Sequence, residues 1–104
     1  MIKTIDVIAL EWFDKINGNS YFAGTVTTNF GMDDEKTYKM PYQYGYGSQY
    51  TQEAGSLLDN EGVIALKKYE TGDKEPLWSY CKDNGIILRA TKHENCKKAQ
   101  LKNI

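Results

Sequence analysis

This chain is poor in the residues that most often carry chemistry. Its 104 residues hold one histidine, two cysteines and two prolines. Cys81, His93 and Cys96 form a Cys-x11-His-x2-Cys pattern whose last two members would put two zinc ligands on one turn. A closed zinc site needs four ligands. With no third cysteine or second histidine, Asp83 or Glu94 would have to complete it. A Cys–His nucleophile pair is the other use of these residues, but neither cysteine sits in a local signature of a thiol enzyme. Cys81 therefore reads as a small core residue. No catalytic residue, metal ligand or cofactor is assigned, and the chain reads as non-enzymatic.

Other absences narrow the field further. There is no Gly-x4-Gly-Lys phosphate loop; Gly45-Tyr46-Gly47 is only a weak echo of one, placed where a helix N-terminus could meet an anion. No apolar run approaches the ~20 residues of a membrane span. The start, Met1 to Asp6, lacks the apolar stretch and small-residue cleavage site of a signal peptide. The expectation is a cytoplasmic protein with reduced thiols. The formal net charge of −1 removes any strong global pull toward nucleic acid or an anionic membrane. The charge is uneven, however. Acidic residues prevail before Asn60, whereas Lys82, Arg89, Lys92, Lys97, Lys98 and Lys102 face only Asp83 and Glu94 near the end. Two solvated faces account for this; a basic end that meets phosphate is the sharper alternative. Asp33, Asp34 and Glu35 are consecutive in a turn, so they diverge and read as solvated rather than catalytic.

What the chain does have is tyrosine. Tyr38, Tyr42, Tyr44, Tyr46 and Tyr50 fall within thirteen residues. Tyrosine joins a large apolar ring to a hydroxyl that needs a partner, which suits half-wet contact surfaces. On a strand, Tyr42, Tyr44 and Tyr46 would project to one side and Gln43 to the other. The competing role is a packed corner between sheet and helix, with Trp12 and Trp78 in the core.

Periodicity and turn residues give the frame of a single domain, 1–104. Lys3 to Ile16 is rich in β-branched and aromatic residues and predicts a strand covered on both faces. Asn17-Gly18 is a hairpin signal, and Ser20 to Phe30 forms the return strand. Thr37 to Tyr44 completes a meander, with Pro41 implying that the strand lies at an edge or ends there. Ser48 would cap a helix carrying Tyr50, Ala54, Leu57 and Leu58 in one stripe and ending at Asn60 or Gly62. Val63 to Leu66 fits a helical extension or a short strand. Pro76 opens a second helix that stops at Asn84-Gly85. Ile86 to Thr91 predicts a fourth strand, its apolar start pointing to an interior place in the sheet. His93 to Ile104 fits a short helix or an extended strap. The class is α+β: an antiparallel three-stranded meander, two helices and a fourth strand, with a single layer of helices on the sheet.

Several segments match a known pattern. Trp12-Phe13-Asp14-Lys15, Gly18-Asn19-Ser20-Tyr21-Phe22, Pro41-Tyr42-Gln43-Tyr44-Gly45-Tyr46-Gly47, Tyr50, Leu77-Trp78-Ser79-Tyr80-Cys81 and Asn84-Gly85-Ile86 together resemble small uncharacterised proteins encoded by bacteriophages and prophages. The resemblance covers most of residues 10–88. It brings no catalytic residues. It implies a bacterial host cytosol and an accessory factor that binds a host component, inhibitors of host defence systems being one such class. The expected function is a non-enzymatic binding protein that blocks a bacterial host protein or a small signalling nucleotide. Tyr42, Tyr44, Tyr46, Tyr50 and Gln43 would form its contact surface, with Arg89 and Lys92 as secondary contacts. The alternative is a single-stranded nucleic-acid module that stacks bases on the same rings and holds phosphates with the basic tail. A homodimer through the exposed aromatic face is also open.

Overall fold

A computed structural model describes all 104 residues. Four strands and three helices follow in the order β1 (Thr4–Asp14), β2 (Asn19–Thr28), β3 (Lys36–Tyr44), α1 (Gln49–Asn60), α2 (Leu77–Asp83), β4 (Ile87–His93) and α3 (Lys98–Lys102). The strands form one sheet in the order β3-β2-β1-β4. β1, β2 and β3 pair antiparallel, while β4 runs parallel to β1. This is the α+β class.

Side-chain alternation divides the sheet into two unlike faces. Ile5, Val7 and Ala9 of β1, Phe22 and Val26 of β2 and Met40 of β3 point to one face, where they meet Ala54 and Leu58 of α1 and Leu77 and Cys81 of α2. Ile64 and Leu66 also plug into this core, from a segment that is neither the helical extension nor the strand that its sequence allows. The opposite face is largely open. Ile8 is exposed there, so β1 is covered on one face over that stretch and not on both. The molecule is accordingly a slab, 43 × 37 × 19 Å.

Turn chemistry fixes the register. The carboxylate of Asp14 accepts hydrogen bonds from the Ile16 and Asn17 backbone N–H groups and from Asn17 Nδ2, and the Gly18 N–H bonds the Asp14 carbonyl at 2.7 Å. These bonds hold the Asp14 carboxyl below its usual pKa, the Asn17 side chain contributing most. The turn is thus a four-residue loop, and Gly18 takes the positive φ it requires. At the far end, Asn29 also adopts a positive φ and is buried. Its Oδ1 accepts from the Lys3 and Thr4 backbone, while its Nδ2 donates to the Met1 carbonyl and to Asp34. Glu35 accepts from the Gly31 N–H. Two of the three carboxylates expected in solvent therefore brace the β2–β3 connection.

Two placements differ from expectation. β4 lies at the sheet edge, because the α1–α2 crossover delivers it to the outer side of β1. Trp78 is 63% exposed and outside the core, since seven-residue α2 buries only Leu77 and Cys81 fully. The tail resolves as α3. Its Leu101 is buried, and α3 lies against β1, β2 and β3 on the open face, adding a small cover opposite α1 and α2. No helix is long and apolar enough to cross a membrane.

Candidate functional site

An aromatic row crosses the open face at one end of the sheet. The hairpin register puts Trp12 directly opposite Tyr21, and the β2–β3 register puts Tyr21 opposite Tyr44. Cross-strand neighbours of this kind stand about 5 Å apart at Cβ, close enough for rings to touch. Trp12 and Tyr21 stack with centroids 5.6 Å apart, and Tyr21 and Tyr42 stack at 5.2 Å. Tyr44 meets Tyr21 edge-on at 5.8 Å, and Tyr46 meets Tyr44 edge-on at 6.5 Å. Each such pair is worth about 0.5–1.5 kcal/mol beyond area burial. Lys98 lies over the Trp12 ring at 5.3 Å and Lys102 over the Tyr42 ring at 5.6 Å. Both come from α3, so the tail braces the row.

A β-bulge makes this arrangement possible. The pairing passes from Phe22↔Gln43 to Gly24↔Met40, leaving Ala23 opposite both Pro41 and Tyr42. One extra residue on a strand reverses the facing of everything beyond it. Met40 therefore enters the core while Tyr42 and Tyr44 face outward, although all three have even numbers on one strand.

Exposure grades along the row. Trp12, Tyr21 and Tyr42 are half-buried, whereas Tyr44 is 54% and Tyr46 66% exposed. Burial first, then the charges of Tyr21 and Asp14, raises the Tyr42 hydroxyl above its ordinary pKa, so it stays a neutral donor at physiological pH. The only buried side-chain oxygen or nitrogen without a partner is Thr4 Oγ1, so no tyrosine hydroxyl is sealed away unsatisfied. The row presents free hydroxyls and ring edges to solvent.

The seven residues singled out in the sequence fall into separate places. Tyr42, Tyr44 and Tyr46 share the row. Gln43 faces the helix side, and its Nε2 donates to the Pro41 carbonyl. Tyr50 packs against the core on the helix side, with Lys92 Nζ 5.9 Å from its ring. Lys92 is enclosed: its ammonium reaches Glu11 Oε2 at 2.9 Å and the Gly47 carbonyl at 3.0 Å. Arg89 lies on the open face but grips Asp6 with two bonds, Nε to Oδ1 at 2.6 Å and a second guanidinium N–H to Oδ2 at 2.9 Å. Neither cation is joined to the rings of the row. Trp12 and Tyr21, outside that set, also belong to the row: the loop spans residues 15–18 and sets 12 against 21, whereas a two-residue turn at Asn17-Gly18 would set 12 against 23.

The other constellations remain apart. Cys81 is buried in the core from α2, and burial pushes its thiol up to about 11. Cys96 lies beyond β4, where its thiol donates to the His93 carbonyl. No three His, Cys, Asp or Glu side chains converge as a metal-binding group. A polar cleft of about 570 Å³ lies between α1 and the 72–76 segment, lined by Glu53, Ser56, Lys74 and Glu75 among others and by none of the aromatic row. No protein family, curated protein or solved structure matches the chain.

Proposed function

We propose that this is a binding protein that docks a protein partner on the outer end of its aromatic row, through Tyr44 and Tyr46. One observation carries the reading: two large rings with free hydroxyls stand exposed, Tyr44 at the end of β3 and Tyr46 in the connection just beyond it, where it meets the Tyr44 ring edge-on. Rigid tyrosines give much contact area at little conformational cost. Exposed aromatics of this kind are the usual centres of protein interfaces. The resemblance to phage-encoded proteins supports a bacterial host component as the partner, and blocking a defence protein as the outcome.

The nucleic-acid reading draws support from Lys98 and Lys102, which sit on the row. Base stacking, however, needs free ring faces. Trp12, Tyr21 and Tyr42 already spend theirs on one another and on those lysines. Only Tyr44 and Tyr46 remain largely exposed, and two neighbouring rings set at a steep angle to one another fit a protein surface better than a run of stacked bases.

Affinity capture from bacterial lysate with the intact chain tests this. Capture of one host protein that is lost in Tyr44→Ala/Tyr46→Ala, with folding retained, is the expected result. Capture unaffected by the double substitution would remove the site. Retention of single-stranded nucleic acid that weakens steeply with salt would establish the other reading.

A further inference from the structure

The two edges of the sheet are treated differently. β3 carries the protection typical of an exposed edge: Pro41, the bulge beside it, and the exposed Lys36 and Lys39. β4 carries none. It has no proline and no bulge, and its seven residues pair with β1 in unbroken register. Its two cations are drawn away from the edge, Arg89 onto Asp6 and Lys92 onto Glu11, both on β1.

The free backbone groups can be named. The Ile87 N–H bonds the Lys3 carbonyl. In a parallel ladder this commits Ile87, Arg89, Thr91 and His93 to β1 and turns Leu88, Ala90 and Lys92 outward. No turn, loop or side-chain hydrogen bond engages the backbone of those three. The surroundings are partly apolar. Ile87 is 60% exposed, Ala90 is exposed, and the exposed Trp78 lies on α2, the helix that packs against β4.

We propose that β4 pairs antiparallel with β4 of a second copy of this chain, about a two-fold axis at Ala90, joining two sheets into one of eight strands. The strand is complementary to itself in this register. Ala90 meets Ala90, Leu88 meets Lys92, Arg89 meets Thr91 and Ile87 meets His93. No like charges stand opposite one another, whereas moving the axis to Arg89 would oppose two guanidinium groups. The three outward residues of each copy would exchange about six backbone hydrogen bonds. The contact is an isologous one, the commonest kind in soluble oligomers. It lies at the edge opposite β3 and does not depend on the aromatic row.

Sedimentation velocity from ~10 to ~500 μM should show a monomer–dimer equilibrium that responds to mass action. Ala90→Pro removes an outward N–H without touching the β1 ladder, and should give a monomer with an unchanged far-UV spectrum. If that variant unfolds, Ala90→Lys serves instead, since the exposed position tolerates lysine but the two-fold axis would set two ammonium groups face to face. Register is read by oxidation in a Cys96→Ser background. Ala90→Cys should cross-link to itself, because hydrogen-bonded pairs lie about 5.5 Å apart at Cα, within disulfide reach. Thr91→Cys should not. A monomer at every concentration, a dimer that survives both Ala90 variants, or equal cross-linking at 90 and 91 would each overturn the inference. So would loss of the dimer in Tyr44→Ala, which would place the contact on the aromatic row.

Discussion

The rings of Tyr21 and Tyr42 lie 5.2 Å apart and within 5° of parallel. Tyr42 is thus part of the scaffold of the row, whereas Tyr44 and Tyr46 are its outer surface. Tyr42→Ala should lower stability by about 1–2 kcal/mol in urea unfolding, from the lost stacking and burial. Tyr44→Ala should lower it by less than about 1 kcal/mol while removing partner capture. Equal losses of stability would mean that both rings serve the scaffold.

Gly24 faces Ala9 across the β1–β2 ladder, and a Cβ on it would run into the Ile8 carbonyl oxygen. The obstacle is backbone in the centre of the sheet, so it cannot swing aside. Gly24→Ala should cost more than about 3 kcal/mol, or leave no soluble protein, among the largest single losses the chain can suffer. Gly72, at an exposed positive-φ turn with nothing within 4 Å of its Cβ position, should tolerate alanine far better. Thermal denaturation of the two variants side by side checks the contrast.

Asn29 combines two roles that substitution can separate. Asn29→Gly keeps the positive φ but abandons the bonds to Lys3, Thr4 and Asp34, which should cost about 1–3 kcal/mol. Asn29→Ala loses those bonds and also pays the left-handed strain, about 1 kcal/mol more. Glycine should therefore be the milder replacement in chemical denaturation, and the reverse order would show that backbone strain is absent there.

The two thiols should differ in reactivity. Cys96 is partly exposed, whereas Cys81 is buried with its thiol held neutral up to about 11. A thiol reagent at pH 8 should titrate one group rapidly and the second only on unfolding. The same shift has a sign for stability. The unfolded chain loses this proton near the ordinary value of 9.0 and the folded chain only near 11. Stability should therefore fall as pH rises through that interval. Cys81→Ala should remove this component of the alkaline slope while lowering stability at neutral pH.

Much of the frame is legible in the residues. β-branched and aromatic runs, Asn17-Gly18, Pro41 and the stripe on α1 set three strands and a helix close to their observed bounds. The site is less legible, because its geometry depends on pairings. The alternation of Tyr42 and Tyr44 is visible in one strand, yet Trp12 and Tyr21 join them only through register, and α3 only through the buried Leu101. The edge position of β4 is illegible for a related reason. Apolar residues at its start show that one face is covered, but not which strand lies beside it or whether another follows. Tyr50 left the group because the chain passes from β3 to the opposite face before α1 begins, a change of side that no spacing records.

The bulge opposite Ala23 has a consequence for how such a protein can adapt. Its extra residue lets a single strand serve the interior with Met40 and the exterior with Tyr42 and Tyr44, so the two sets answer to different constraints. If the outer rings dock a partner as proposed, substitutions there would alter that contact while the packing beneath stays as it was. Deleting one residue from the same stretch would exchange inside for outside and put the packing of Met40 and the outward display of Tyr42 and Tyr44 at odds.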